Sequence, residues 1–287
     1  MKHLRAFIIG LLITCCLSIQ SAWASESRDT GFDSAWRHLT LYENEEDAAI
    51  QKFALVGRAQ VDSFWVNPED GEDYNDTLWR RLRFGFKADI FTQWVAHLEA
   101  DFDLNEPIGD WYTQLTDANI AWSSSENLKI KLLKQSAGFT LDGATSSKRL
   151  LTLERNNLTN NLWFTEEYFN GILASGKIAN AWRYKASVFS SDGDPELGWD
   201  GASWFSLLSV GYSFSNTAFG LDYVYQDEDE NANTRDFKQI LSLTGKWQGD
   251  GFGVWGDLSF GDGFSDQGQS DVWGLVLMPF YNFSKHT

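Results

Sequence analysis

Residues 77–90 alternate between apolar and charged side chains. Leu78, Leu82, Phe84, Phe86, Ala88 and Ile90 occupy one set of alternate positions, and Arg81, Arg83, Lys87 and Asp89 occupy the other. Successive side chains of a β-strand point to opposite faces, whereas a helix would scatter both sets around its axis. The pattern therefore predicts a strand with one apolar face and one mainly cationic face. Arg80 falls on the apolar face in this assignment.

Similar segments recur along the chain and predict an all-β, antiparallel fold. We predict twelve strands, at residues 53–66, 77–90, 93–104, 111–122, 127–137, 166–176, 181–190, 203–213, 217–226, 237–247, 252–260 and 271–282. Long connections follow the odd-numbered strands and short ones follow the even-numbered strands. This alternation is typical of transmembrane β-barrels, which have short periplasmic turns and longer extracellular loops. A secreted β-sandwich is the alternative, but nothing in that architecture requires the alternation.

The first 24 residues have the order of a secretory signal peptide. Lys2 and Arg5 precede an apolar stretch over 6–19, and Ala22 and Ala24 supply the small residues of a cleavage site. An uncleaved membrane anchor is the alternative, although the apolar stretch is shorter than the ~20 residues of a spanning helix. We therefore expect a signal peptide over 1–24, an N-terminal periplasmic segment over 25–52 and a barrel over 53–287.

Composition supports export and a membrane barrel. Aromatic residues make up 15% of the chain, including 14 Trp, and both cysteines, Cys15 and Cys16, lie in the predicted signal peptide. Disulfide and thiol chemistry is therefore excluded from the predicted mature chain. After the signal no apolar stretch reaches the length of a spanning helix. The net charge of −17 argues against nucleic-acid binding.

In a barrel, the charged face of each strand is expected to point to the lumen rather than to lipid. A charge on the lipid face costs ~2–4 kcal/mol near the bilayer midplane, so Arg81, Arg83 and Lys87 are expected to face the lumen. By the same alternation the following cations also face inward: Arg58, Lys129, Lys131, Arg183 and Lys185. Of these, Lys129 and Lys131 are candidates, with Arg81, Arg83 and Lys87, for an anion path along the wall. Arg80 is expected near the membrane rim, beside Trp79. Alternatively, Asp62, Asp89 and Asp101 pair with the wall cations and leave the pore nearly neutral.

The third long connection, 138–165, contains apolar residues of its own, which predicts a loop that folds into the lumen. Its candidate lining residues are Ser146, Ser147, Lys148, Arg149 and Arg155. Hydroxyls and cations together suit an oxyanion, which requires both hydrogen-bond donors and positive charge. A loop packed on the wall with solvated charges is the alternative.

The sequence resembles the phosphate-selective porins O and P. The resemblance rests on GRAQVD (57–62), RRLRFGFKADIF (80–91), KQSAGFTLDGATSSKRLLTLERNNL (134–158) and AWRYKASVF (181–189). It implies a homotrimeric outer-membrane channel of about sixteen strands with an inward third loop. It also implies passage of phosphate or polyphosphate along basic residues, matched here by Arg81, Arg83, Lys87, Ser146, Ser147, Lys148, Arg149 and Arg155.

Two features depart from the family pattern. The family has a proline beside the phenylalanine that opens the third loop, whereas this chain has Ala137, Gly138 and Phe139. Twelve strands are predicted, and the last residue is Thr287 rather than the terminal aromatic of such barrels. We therefore expect a barrel that lacks its last strands, with a naturally closed twelve-stranded barrel as the alternative.

These observations predict a passive channel for small anions such as phosphate. The alternatives are a non-selective porin and an adhesion or structural barrel that uses the acidic loops 67–75 and 226–236. A barrel phospholipase is disfavoured, because His97 has no evident serine partner. Metal-ligand spacing is absent and no cofactor is predicted. The expected partners are outer-membrane lipid, lipopolysaccharide, small anions and two further copies of the chain.

Overall fold

The computed structural model describes residues 39–68, 71–147, 149–162 and 167–282, together with the backbone of Leu17–Ser18. Fourteen strands are described: β1 (Leu17–Ser18), β2 (Thr40–Glu43), β3 (Ile50–Val66), β4 (Tyr74–Ile90), β5 (Trp94–Phe102), β6 (Tyr112–Ser125), β7 (Leu128–Ser136), β8 (Tyr168–Ala179), β9 (Trp182–Ser190), β10 (Trp204–Phe214), β11 (Thr217–Gln226), β12 (Phe237–Gln248), β13 (Phe252–Gly263) and β14 (Val272–Tyr281). A short helix, α1 (Asn157–Leu162), and a 3₁₀ turn (Ser265–Gln267) lie in connections. All twelve predicted strands are confirmed, as β3 to β14.

The strands form one antiparallel sheet in which each strand from β3 to β14 pairs with the next along the chain. β1 and β2 both pair with β3, and β2 lies within the predicted segment 25–52. Among the described strands the sheet is open, because β3 and β14 are not paired with each other. The closed twelve-stranded barrel is therefore not observed.

The predicted alternation of short and long connections is confirmed. The short ones are 91–93, 126–127, 180–181, 215–216 and 249–251. The long ones are 67–73, 103–111, 137–167, 191–203, 227–236 and 264–271. Because consecutive strands are antiparallel, all short connections meet at one end of the sheet and all long ones at the other. We call these ends the turn side and the long-loop side.

The two faces of the sheet differ in polarity, as the alternation in β4 predicts. Phe84 and Phe86 are 49% and 39% exposed, whereas Arg83, which precedes Phe84 in the strand, is 6% exposed. The same apolar face continues across the sheet with exposed side chains that include Leu98, Ile172, Val188, Leu208, Leu221, Leu243 and Leu275. A continuous exposed apolar surface of this kind suits contact with lipid rather than water. We call it the outer face, and the opposite one the inner face.

Aromatic side chains border the outer face at both strand ends. Exposed aromatics near the turn side include Trp182, Phe214, Trp247, Phe252 and Tyr281, and those near the long-loop side include Trp65, Tyr74, Trp111, Trp204 and Trp273. Aromatic rings at these positions form the two interfacial girdles typical of membrane barrels. Within the described residues, no helix is long and apolar enough to cross a bilayer.

The predicted orientation of Arg80 is wrong. Gln60 is opposite Arg81 and Val61 is opposite Trp79, so Arg80 is the extra residue of a β-bulge. A bulge breaks the period of two, because two residues of one strand face a single residue of its partner. Arg80 consequently turns to the inner face, where its guanidinium lies 3.6 Å from the Asp62 carboxylate.

The long connection 191–203 covers the long-loop ends of β6, β7 and β8. The fully buried ammonium of Lys134 donates to the backbone carbonyls of Asp194 and Glu196. The side-chain amide of Asn170 donates to the same Glu196 carbonyl at 3.1 Å. The loop is therefore fixed to the sheet by main-chain acceptors that meet two buried donors.

Candidate functional site

The connection 137–167, which we call the third loop, packs on the inner face. Phe139 and Leu162 are at most 1% exposed. They belong to an apolar cluster with inner-face residues of β8 to β12, namely Phe169, Phe189, Phe205, Leu207, Val224, Phe237 and Ile240. Burial of large aromatic and aliphatic side chains is the main favourable term for such a contact. The loop is thus held to the sheet by a hydrophobic core of its own.

Two buried carboxylates hold the start of the third loop. The Asp222 carboxylate accepts the backbone N–H of Thr140 at 3.0 Å, and the Asp257 carboxylate accepts that of Leu141 at 2.8 Å. Thr140 has a φ of +65°, in the left-handed region, so the chain turns sharply between the two bonds. Ser259 adds its hydroxyl to the Asp257 carboxylate at 2.7 Å. These bonds fix the loop's backbone relative to β11 and β13.

Cations of three strands also bind the third loop. Lys185 donates to the Gly138 carbonyl at 2.9 Å, Lys246 donates to the Thr145 hydroxyl at 3.0 Å, and Arg58 donates to the Ser147 hydroxyl. All three are inner-face residues, because each donates to the loop that packs on that face. The third loop is therefore bound by charged donors and acceptors from both halves of the sheet.

The third loop contacts strands near both edges of the sheet, β4 and β14. Arg80 of β4 donates to the Leu153 carbonyl and lies 2.5 Å from the Glu154 carboxylate. At the opposite edge, a Cβ added to Gly274 of β14 would lie 2.5 Å from the Leu158 side chain of α1. Since one loop contacts both β4 and β14, the sheet curves around it.

Several of the predicted path cations are bonded to neighbouring groups. Arg83 donates to the Asp101 carboxylate at 3.0 Å and to the Tyr168 hydroxyl at 2.5 Å. Arg155 lies 2.8 Å from the Glu167 carboxylate. The predicted pairing of a wall cation with Asp101 is thus observed. These two cations are neutralised locally rather than left free for a solute.

The other predicted residues have different surroundings. Arg81 donates to the Gln60 side chain at 3.2 Å, and Ser147 accepts from Arg58. Ser146 and Arg149 are exposed on the third loop. The remaining loop candidate, Lys148, lies outside the described residues. The structure therefore gathers some of the loop and wall candidates, but does not align them as one row.

A cavity of about 620 Å³ lies between the third loop and the turn side of the inner face. Its charged lining consists of the cations Lys129, Lys177, Arg183, Lys185 and Lys246 and the carboxylates Glu126 and Asp222. Lys177 pairs with Glu126 at 2.5 Å. The lining therefore has an excess of cations, and we call this space the basic vestibule.

Two further cations lie close to the basic vestibule. Lys129 is within electrostatic range of Lys87 and Lys131, with Asp89 as the nearby carboxylate. Among the described residues, none of these three lysines forms an ion pair with a carboxylate. Three of the predicted path residues are thus brought together at the turn side.

A second cavity, of about 340 Å³, separates the third loop from β3 to β7. Its polar lining includes Arg58, Asp117, Ser147, Glu167 and Tyr168. Opposite charges face each other across this space, which makes it more nearly neutral than the basic vestibule. No cluster of side chains suited to a metal ion occurs in the described ranges.

Sequence reasoning identified too few of the cations near the turn side. Alternation places Arg183 and Lys185 inward, but neither is among the candidates, and Lys246 is missed. A signal for Lys246 exists, because Ser242 and Thr244 precede it at alternate positions of β12. Asp222 and Asp257 carry no such signal, since only the fold brings their carboxylates to the backbone of the third loop.

An antiparallel sheet with an apolar outer face, aromatic girdles, alternating connections and a long loop packed on its inner face defines a protein of the porin class. A family model of phosphate-selective porin O and P matches residues 53–250, which is more than half of the chain. The chain belongs to this family, and the predicted resemblance is confirmed. No curated protein matches it. Membership implies an outer-membrane porin, which is a channel rather than an enzyme.

Proposed function

We propose that the chain forms a passive diffusion channel for small anions such as phosphate or polyphosphate. The observation that carries this proposal is the basic vestibule, where five cations face two carboxylates between the third loop and the sheet. A solute passing between loop and wall would meet this space before the turn-side exit. The homotrimer and the signal peptide are part of the same proposal and rest on the family and the sequence.

Lys129, Lys131 and Lys87 act here as point charges and Arg183 as a planar donor. Oxyanions are bound through charge-assisted hydrogen bonds, and such bonds are about twice as strong as neutral ones. In a narrow space of low dielectric a few local cations act more strongly than distant acids screened by salt. We propose that Lys129, Lys131, Arg183 and Lys246 attract the anion.

A non-selective porin is the second candidate, and a different observation supports it. Cations beside the third loop are paired, Arg83 with Asp101, Arg155 with Glu167 and Arg80 with Glu154. Paired charges contribute little net field, so a solute would meet no strong preference at the loop itself. The two candidates differ in whether the vestibule lysines set the selectivity.

The reversal potential of the reconstituted chain in a KCl gradient separates the candidates. We expect chloride preference, and a reduction of the chloride current by added phosphate. Lys129→Glu combined with Lys246→Glu should shift the reversal potential toward cation preference. Lys238→Glu is the matched control, because Lys238 is exposed on β12 and does not line the vestibule. Selectivity unchanged in the double variant would support the non-selective porin.

A further inference from the structure

Charge is distributed unevenly between the two ends of the sheet. Asp or Glu occurs in each of the long connections 67–73, 103–111, 191–203, 227–236 and 264–271, and Arg235 is the one Lys or Arg in their sequences. Arg235 donates to the backbone carbonyl of Asn160 at 3.0 Å. The long-loop side is therefore strongly acidic.

The turn side of the inner face has the opposite sign. Lys87, Lys129, Lys131, Arg183 and Lys246 all lie within a few residues of a short connection. None of them forms an ion pair with a described carboxylate. Lys246 also stands over the ring of Trp255, 4.2 Å from its centroid.

The zone between the two ends is nearly neutral. Arg83 pairs with Asp101, Arg155 with Glu167, and His97 lies 3.7 Å from the Asp117 carboxylate. A path along the inner face therefore passes from an acidic mouth through a paired belt to a basic vestibule. The three zones follow one another along the strand direction.

We propose that this charge order makes the channel rectify ion current, with the larger current when the long-loop side is positive. The inference rests on the proposed channel function. Fixed charges give protein surfaces potentials of several kT, and one kT already changes a local ion concentration about threefold. Cations are thus enriched at the long-loop mouth and anions at the turn-side mouth.

The polarity follows from which ions each mouth supplies. When the long-loop side is positive, cations enter from the acidic mouth and anions enter from the basic vestibule. Both kinds accumulate in the paired belt, and the conductance rises. The opposite voltage draws both kinds outward, depletes the belt and lowers the conductance.

Single-channel currents of the full chain test this directly. In 0.1 M KCl, where the Debye length is about 10 Å, we expect the two polarities to differ about twofold or more at equal voltage. In 1 M KCl, where it is about 3 Å, the ratio should approach one. Lys129→Glu with Lys246→Glu should remove the asymmetry, and Lys238→Glu should preserve it.

Tryptophan quenching gives a second measurement that does not require conductance. Trp255 lies beside Lys246, which lines the basic vestibule, whereas Trp199 is 39% exposed in the acidic connection 191–203. The difference between the native protein and Trp255→Phe isolates the first ring, and Trp199→Phe isolates the second. We expect iodide to quench Trp255 better than caesium does, and the reverse order at Trp199.

The outcomes separate the two proposals. Equal currents at both polarities in 0.1 M KCl would overturn rectification and leave the channel function intact. Equal quenching of both rings by both ions would overturn it as well, because the mouths would then have no opposite potentials. A complete absence of conductance in every voltage and salt condition would overturn the channel function together with the rectification.

Discussion

Removal of the Asp257 carboxylate tests whether hydrogen bonds hold the third loop on the inner face. Asp257 is 1% exposed and accepts the Leu141 N–H at 2.8 Å. A hydrogen bond to a charged group contributes about 1.5–3 kcal/mol. Asp257→Ala should therefore raise the population of a displaced loop by about 10- to 150-fold, since 1.4 kcal/mol corresponds to a factor of ten.

Two assays report on the displaced loop. Arg149 is exposed on the third loop, so trypsin should cut after it faster in Asp257→Ala than in the native protein. Reconstituted channels of the variant should also show a larger and noisier conductance, because the loop occupies less of the path. Both changes are expected in folded protein with an unchanged circular-dichroism spectrum.

Ser259→Ala is the matched control for this prediction. Ser259 donates to the same Asp257 carboxylate at 2.7 Å but forms no hydrogen bond with a described residue of the third loop. Its removal should leave the tryptic rate and the conductance close to native. Native rates of cleavage at Arg149 in both variants would show that the other contacts hold the loop without Asp257, and the reasoning from Asp257 would be refuted.

Three further predictions concern the sheet and its loops. Gly85→Ala should lower the free energy of unfolding by about 1–3 kcal/mol, because its Cβ would lie 2.0 Å from the Leu98 carbonyl oxygen, and the β-sheet circular-dichroism signal should be lost at a lower temperature. Gly211→Ala should be tolerated, because its Cβ would lie 3.7 Å from the Phe219 carbonyl oxygen. Lys134→Met should speed proteolysis within 191–203, because each lost bond to the buried ammonium contributes about 1.5–3 kcal/mol, while the exposed Lys238→Met should not. The Asn231 and Ser203 N–H groups lower the pKa of Asp229, so this carboxylate stabilises the junction of two long loops above the unfolded pKa of about 3.9. That contribution should be lost as pH falls through the lowered pKa of Asp229. Hydrogen exchange of the Ser203 amide measures the loss, because exchange should become faster when the carboxylate is protonated. In Asp229→Asn the faster exchange should be seen at every pH.

Most of the fold follows from local pattern. The period of two in segments such as Arg81–Ile90 is a property of the strand itself, and the length of each connection can be read from the sequence. Consequently all twelve strands and the alternation of their connections are predicted correctly. Arg80 is the exception, because the bulge opposite Gln60 depends on strand register rather than on the residues of β4 alone.

The candidate site is predicted only in part. Alternation correctly assigns Arg83 to the inner face, but it does not show that Asp101 of the next strand neutralises it. That pairing depends on the register of β4 against β5. The turn-side lysines are the reverse case, since Lys129 and Lys246 are far apart in sequence and share a cavity only after the sheet curves around the third loop.

With the exception of Arg80, the sequence by itself determines which side chains face each side of a strand, and it also determines the acidity of the long connections and the family. These are local or compositional properties, and they survive any arrangement of the strands. Only the tertiary structure decides which cations stay free of carboxylates and which groups hold the third loop. Hydrogen bonds and ion pairs act over a few ångströms, so residues such as Asp257 and Leu141, distant in the chain, interact only where the fold brings them together.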